Sequence, residues 1–319
     1  MSSSLWITTD GQTPRCVRCT NAIPTRSSTT LRLQWTEYCE LSKRRMEVQS
    51  LSKVIMRVNA LSKSFSQKAA ELRVLNQISM DIHESEFICV IGPSGCGKST
   101  FLKCVGGIQP PTTGTIELDG VTHERGIPSH VLGKFGFVFQ SNNLLPWRTA
   151  EKNLRLMLEV LKVKEFDWDQ RIDEMLQIVG LAQYKDVYPH ELSGGMRQRV
   201  GIARALVHNP EILLMDQPFG ALDAITRKML SYEMLSIWKQ TKKTIIMVTN
   251  NVEEALLLAN RIFIFSPLPG EIISEIEVDI PLEERGQDIA GHKRYIELRT
   301  LINQVIRQGH AAEARRQAT

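Results

Sequence analysis

Eight consecutive residues carry the clearest chemistry in this chain: Gly92-Pro93-Ser94-Gly95-Cys96-Gly97-Lys98-Ser99, continued by Thr100. Glycines let a backbone turn so that successive N–H groups converge on one point, the arrangement that holds phosphate oxygens. The run follows an apolar stretch, Phe87 to Ile91, and opens a helical pattern. A helix N-terminus there adds partial positive charge. In that setting Lys98 is placed to reach the β- and γ-phosphates of a nucleotide, and the Ser99 hydroxyl to ligate Mg²⁺. A second apolar stretch, Ile212 to Met215, ends in Asp216, whose carboxylate would hold the same ion through water. Between the two, Leu192-Ser193-Gly194-Gly195-Met196 heads an apolar helical run. Its small residues make a second anion site. One triphosphate needs one cradle, so two in a chain make sense if each closes over nucleotide held by another copy.

These residues need a scaffold of alternating strands and helices, and the text from about 54 to 280 supplies one. Val74 to Ile82, Phe87 to Ile91, Thr115 to Leu118, Phe135 to Phe139, Ile212 to Met215, Ile245 to Val248 and Ile262 to Phe265 have the length and apolar content of strands. Lys98 to Val105 reads as a helix. From about 150 to 190 the pattern changes: Leu154, Leu158, Leu161, Ile172, Met175, Leu176 and Val179 recur at mostly helical spacing. The tail carries one amphipathic helix, roughly Lys293 to Ile306, with Tyr295, Leu298, Leu301, Ile302 and Val305 on one face and a polar, frayed end. Residues 1–53 are rich in Ser, Thr and Arg and lack sustained periodicity, so they read as a disordered extension or a transit-type segment, with Met46 and Met56 as alternative starts.

Composition narrows the classes. A chain of 319 residues, 42% hydrophobic, can bury a sizeable core, and a net charge of +4 is too mild to imply nucleic-acid binding by itself. The apolar runs have strand length, well short of the ~18 residues of a membrane span. Six scattered cysteines suit a reducing compartment better than a disulfide framework. Cys16 and Cys19 form a lone C-x-x-C with Cys39 nearby, short of the ligands zinc needs.

The phosphate loop, Gln140 after an apolar strand, Leu192-Ser193-Gly194-Gly195-Met196, Asp216, and Ala221-Leu222-Asp223 stand in an order that resembles the ATP-binding subunit of ABC transporters, over about residues 54–280. The resemblance implies an α/β fold: a P-loop NTPase (RecA-like) cassette with an antiparallel β subdomain, a helical insertion at about 141–195, and residues 281–319 as a C-terminal helix and tail. It implies a head-to-tail dimer with two ATP molecules at the seam. Phe65 then stacks on adenine, and Gly92 to Thr100 hold the phosphates. Ser99, Gln140 and Asp216 serve Mg²⁺, while Ser193, Gly194, Gly195 and Asp223 face the other cassette's nucleotide. Leu144-Leu145-Pro146-Trp147-Arg148-Thr149 and Ser266-Pro267-Leu268-Pro269-Gly270 are similar to the ATPases of nitrate, sulfonate, taurine and bicarbonate importers. That implies a transmembrane permease docked near Leu144, Leu145 and Trp147, a solute-binding protein acting indirectly, and a peripheral place on the cytoplasmic face of the inner or plasma membrane.

Two positions depart from the family. Gln217 stands where it has the Glu that polarises the attacking water, and Asn250 where it has a His contacting the γ-phosphate. A neutral amide takes up no proton at accessible pH, and general base catalysis is worth ~10²- to 10⁴-fold. The expectation is a chain that binds Mg·ATP well, closes readily and hydrolyses slowly, with Gln217, Asn250 and Gln140 at the catalytic positions. Two other readings compete: a non-hydrolytic, nucleotide-gated regulatory partner of a complete cassette, and a soluble ABC ATPase acting on nucleic acid or ribosomes. The single cassette and the lack of heptads or RNA-stacking motifs weigh against the last.

Overall fold

The computed structural model describes residues 6–7, 15–16, 53–67 and 70–317, with the side chains of the last helix described as far as Gly309. The chain divides into two units, Met1–Lys53 and Val54–Thr319. In the first, Trp6–Ile7 pairs antiparallel with Arg15–Cys16. Apart from that short ladder, the disorder expected for residues 1–53 and the zinc reading of Cys16 and Cys19 fall outside the described residues.

In the second unit the strands are β1 (Val54–Gln67), β2 (Ala70–His83), β3 (Phe87–Ile91), β4 (Thr113–Leu118), β5 (Val121–His123), β6 (Phe135–Val138), β7 (Ile212–Asp216), β8 (Thr244–Thr249), β9 (Arg261–Phe265) and β10 (Ile272–Glu277). The helices are α1 (Lys98–Val105), α2 (Ala150–Leu161), α3 (Trp168–Ile178), α4 (Gly194–Leu206), α5 (Ala224–Thr241), α6 (Val252–Leu258) and α7 (Lys293–Gln317). One sheet has the order β10-β9-β3-β8-β7-β6, and a second the order β2-β1-β4-β5. In the first, only the β9–β10 pair is antiparallel. The second is antiparallel throughout.

All residues of β3, β7 and β8 are buried, as expected of parallel strands covered on both faces. Their alternate side chains feed two separate cores. Phe87, Cys89 and Ile91 join Leu154, Ile172, Trp238 and Tyr295 on the helical side. Ile88 and Val90 join Met56, Leu75, Phe101 and Ile116 between the two sheets. Side-chain oxygens close most helix starts: Thr149 accepts from Lys152 N–H, Asp167 from Gln170, Ser193 from Met196, Asp223 from Ile225 and Thr226, and Asn251 from Glu253 and Glu254.

Two expectations need correction. The strand read from Val74 begins at Ala70, because its ladder to β1 runs on to Gln67↔Ala70; the polar residues Glu71 and Arg73 hide it from a hydrophobic reading. The tail helix does not end near Ile306 but continues to Gln317. Tyr295, Leu298 and Ile302 are buried in the helical-side core, whereas Leu301, at the edge of that stripe, is 45% exposed.

His208, just past α4, is 8% exposed, and its Nε2 lies 3.1 Å from the Phe135 carbonyl oxygen. Burial pulls its pKa below the ordinary 6.5, with the Phe135 bond opposing and Lys243 and Arg171 assisting. The folded chain therefore binds this proton less tightly than the unfolded chain. The stability this represents is present above about pH 6.5 and is lost as pH falls toward the lower, folded value. Thermal midpoints followed from about pH 7.5 to about pH 5.5 are expected to fall more steeply for the wild type than for His208→Gln, which keeps an amide donor and does not titrate. Parallel curves would clear His208 of this role.

Candidate functional site

The chemistry collects at one edge of the six-stranded sheet because three neighbouring strands are parallel and in step. Thr249 pairs with Ile91, and Val248 with Asp216. The residues that follow, Gly92, Asn250 and Gln217, therefore leave the sheet side by side. Val138 pairs with Met215, so Gln140 emerges at the same edge. Ligands of open α/β sheets bind outside such carboxyl ends.

The phosphate loop is built as a cradle. Gly95 has φ +82° and Gly97 φ +100°, and a Cβ on Gly97 would come within 2.9 Å of the Val74 carbonyl oxygen. Lys98 is 3% exposed. Its Nζ donates to the carbonyls of Gly92 and Pro93, both at 2.8 Å, folding the ammonium over its own loop. Burial lowers its pKa, with Cys96 and Asp216 opposing. The Ser99 hydroxyl donates to Asp216 Oδ1 at 2.8 Å. Ser94 and Gly95 are exposed at the loop's crest, and Thr100 is half-buried in α1. An open nest, a cation, and a hydroxyl against a carboxylate form a donor set that fits a phosphate chain with a divalent cation.

Part of this shape comes from a distant loop. A Cβ on Gly270 would fall 2.3 Å from the Cys96 carbonyl oxygen, and one on Gly92 2.9 Å from that of Phe265. Gly270 N–H donates to Val74 O, and Asn76 N–H to Gly270 O. The Ser266–Gly270 segment thus wedges between β2 and the phosphate loop.

Gln217 and Asn250 meet directly: Asn250 Nδ2 donates to Gln217 Oε1 at 3.2 Å. Gln217 has φ +44°, uncommon for a residue with a side chain. Its N–H donates to Val248 O at 2.9 Å, and its own carbonyl accepts from Gly220 N–H at 3.0 Å. A Cβ on Gly220 would lie 3.7 Å from Gln140 Nε2, which places that amide beside the Gln217 turn. A cleft of about 540 Å³ opens here, lined by Gln217, Asn250, Arg227, Glu254, Arg299 and Asn303 among others.

The second predicted cradle is built on other elements, the starts of α4 and α5. Ser193 caps α4, and a Cβ on Gly195 would touch Thr226 Cγ2 at 3.1 Å, so the starts of α4 and α5 lie side by side. Asp223, exposed at the head of α5, is held well ionised by the N–H groups of Thr226 and Ile225, which lower its pKa. Among the described residues no hydrogen bond joins Ser193, Gly194 or Gly195 to the phosphate loop. Phe65 is half-buried, packed on the core that holds Cys96 and Val74, with Lys63 Nζ 5.1 Å from its ring centroid. Leu144 packs on the helical-side core, while Trp147 is 71% exposed. Asn153, fully buried, pins the loop between them by bonding both the N–H and the carbonyl of Leu145.

Sequence reasoning missed Arg227 and Glu254, which line the cleft from α5 and α6. Glu254 shows no local signal, because an acid in the first turn of a helix is ordinary. It also read Ser266–Gly270 as a mark of kinship only, since nothing local reveals the backbone its glycine must clear.

The profile of the ABC transporter family matches residues 75–220. The taurine import ATP-binding protein TauB of Rhizobium johnstonii is 40% identical over 251 residues, which is 77% of this chain and 93% of the relative. The nitrate import ATP-binding protein NrtD of Synechococcus elongatus is 38% identical over 246 residues, 76% of this chain and 88% of the relative. Among solved structures, the dimeric post-hydrolysis state of the ATP-binding cassette MJ0796 with ADP and Pi superposes with a TM-score of 0.62 at 31% identity, over 71% of this chain and all of that one. With the phosphate loop on the carboxyl edge of the sheet and a Ser193-capped helix that begins Gly194-Gly195, this chain belongs to the ABC transporter family as one of its ATP-binding cassettes.

Proposed function

We propose that this chain is the energy-coupling, ATP-binding subunit of an importer for a small anion of the nitrate, sulfonate, taurine and bicarbonate class. It works as one of two cassettes that close on Mg·ATP and drive a separate permease. The observation that supports this reading is the occurrence in one chain of the Gly92–Ser99 loop folded around buried Lys98 and of a Ser193-capped helix that starts with two glycines, each suited to an anion. The import names borne by relatives at about 40% identity support the cargo class.

Within this reading the backbone of Gly92 to Gly97 receives the phosphate oxygens, with Pro93, Ser94 and Cys96 shaping the loop and Thr100 following in α1. Lys98 gives up its two carbonyl bonds for the β- and γ-phosphates. Ser99 and Asp216, already in contact, hold the divalent cation with Gln140 beside them. Bound Mg²⁺ would neutralise charge on the phosphate oxygens. Phe65 meets adenine. Ser193, Gly194, Gly195 and Asp223 meet the other cassette. Exposed Trp147, with Leu144 and Leu145, offers the permease an apolar seat worth several kcal/mol gross, at ~1.5–3 per buried side chain. Among the described residues no helix is long and apolar enough to cross a membrane, which accords with peripheral attachment to such a permease on the cytoplasmic face.

One observation favours a second reading. Gln217 and Asn250 form a neutral amide pair, with neither a carboxylate nor an imidazole at these positions. That suits a slow site, or a regulatory cassette beside a complete one. Light scattering of the purified chain with saturating Mg·ATP, alone and with its cognate permease, tests the main reading. Nucleotide-dependent dimers are the expected result. Monomers throughout would overturn it, and a co-purifying complete cassette would favour the regulatory alternative.

A further inference from the structure

We propose that Arg227 and Glu254 are positioning residues that lock the Phe219–Asp223 turn to the Thr249–Asn250 switch, so that the two move as one piece. The proposal rests on the reading above, in which Asp223 lies at the seam between cassettes.

The contacts form a circuit of hydrogen bonds, completed between Arg227 and Glu254 by an ion-pair approach. Arg227 Nη2 donates to the Leu222 carbonyl at 2.8 Å, and Nε to that of Phe219 at 3.3 Å. The same Nε stands 3.9 Å from Glu254 Oε1. Glu254 Oε2 accepts the Thr249 hydroxyl proton at 2.6 Å. Thr249 Oγ1 in turn accepts from Asn251 N–H at 3.1 Å. Asn250, between them, donates to Gln217 Oε1, and the Gln217 carbonyl accepts from Gly220 N–H, back in the first turn. Two segments, 217–227 and 249–254, are thus joined through one guanidinium and one carboxylate.

The chemistry of the link is specific. Glu254 is 6% exposed, and burial raises its pKa against the Thr249 bond and Arg227. Burial disfavours the charged carboxylate, and the Thr249 bond and Arg227 are the two contacts that favour it, so losing either weakens what holds it in place. Arg227 is planar and forked, so one side chain can hold two carbonyls of the turn while facing the acid; a lysine ammonium cannot reproduce that fork. A displacement of Asp223 at the seam therefore pulls on Thr249 and Asn250 in the same molecule. Neither residue touches the phosphate loop, so the link predicts no change in how a single chain first takes up nucleotide.

Glu254→Gln and Arg227→Lys test this in the full chain. Glu254→Gln preserves an acceptor for Thr249 and nearly the same volume while removing the charge. Amide exchange of peptides covering 217–223 is expected to quicken about tenfold in Glu254→Gln, although the substitution lies on another element. Nucleotide affinity of the single chain should stay within about twofold, while turnover in a Gln217→Glu background falls about tenfold at unchanged KM. Unchanged exchange across 217–223, or KM rising at constant kcat, would overturn the proposal. A wild type that never dimerises would sink the transporter reading yet leave the exchange experiment valid, since it is read on the single chain.

Discussion

Gln217→Glu is expected to raise single-turnover ATP hydrolysis by ~10²- to 10⁴-fold, the range general base catalysis contributes. The replacement is nearly isosteric. The Asn250 amide that now donates to Gln217 Oε1 at 3.2 Å would donate to a carboxylate oxygen instead, a charge-assisted and stronger bond. The backbone bonds that hold residue 217 in its left-handed conformation, to Val248 and Gly220, do not involve the side chain. What changes is proton affinity: a carboxylate can accept a proton from water as it attacks, and an amide cannot. In barrier terms the gain is ~3–5 kcal/mol at ~1.36 per decade. Asn250 remains neutral and supplies one hydrogen bond without charge, so the gain should fall at the lower end unless Asn250→His accompanies it. Rapid-quench measurement under excess protein reads the chemical step apart from product release. Equal rates for wild type and variant would show that Gln217 does not limit hydrolysis.

Lys98→Ala is expected to weaken ATP binding by ~10²- to 10⁴-fold, because charge-assisted hydrogen bonds are worth ~1.5–3 kcal/mol each and the ammonium can make two to the β- and γ-phosphates. The same substitution strips donors from the Gly92 and Pro93 carbonyls, which Lys98 now satisfies at 2.8 Å. Circular dichroism and a melting curve separate loss of a ligand contact from loss of the loop. Titration with a fluorescent ATP analogue reads the affinity, and a dissociation constant within about threefold of wild type would remove Lys98 from the site.

The two effects attack different stages. Lys98 belongs to a cradle made within one loop, whereas Gln217 belongs to an arrangement assembled from strands that are remote in the chain. An Arg227→Lys variant addresses a third stage, the transfer of movement between the α5 start and the switch.

How much of this was legible in the residues follows the same division. The phosphate loop, its helix and the apolar strand before it were readable because each depends on neighbours: glycine torsions, a lysine and a hydroxyl at fixed offsets, and a buried strand with no polar alternation. The helix caps at Thr149, Ser193, Asp223 and Asn251 are local too, although the sequence reading did not single them out as caps. Two long antiparallel strands were less readable: Val54–Gln67 was not singled out, and the start of Ala70–His83 was set too late, because their exposed faces carry charges. Arg285 was not singled out in the segment before the tail helix, yet it is 3% exposed and donates to the carbonyls of Ala259, Val278 and Ile280, with burial drawing its pKa to about 10.

The chain's residues by themselves showed a glycine-rich loop with Lys98 and Ser99 after an apolar strand, a Ser-Gly-Gly helix start downstream, and amides at 217 and 250, where the resemblance leads one to expect a Glu and a His. Tertiary structure alone decided that those two amides clasp each other, that Gly270 props the phosphate loop, and that Arg227 meets Glu254. The reason is register. Pairing Val248 with Asp216 and Thr249 with Ile91 brings three distant loops to one edge, and that alignment is set by packing summed over the whole sheet rather than by any residue near the site.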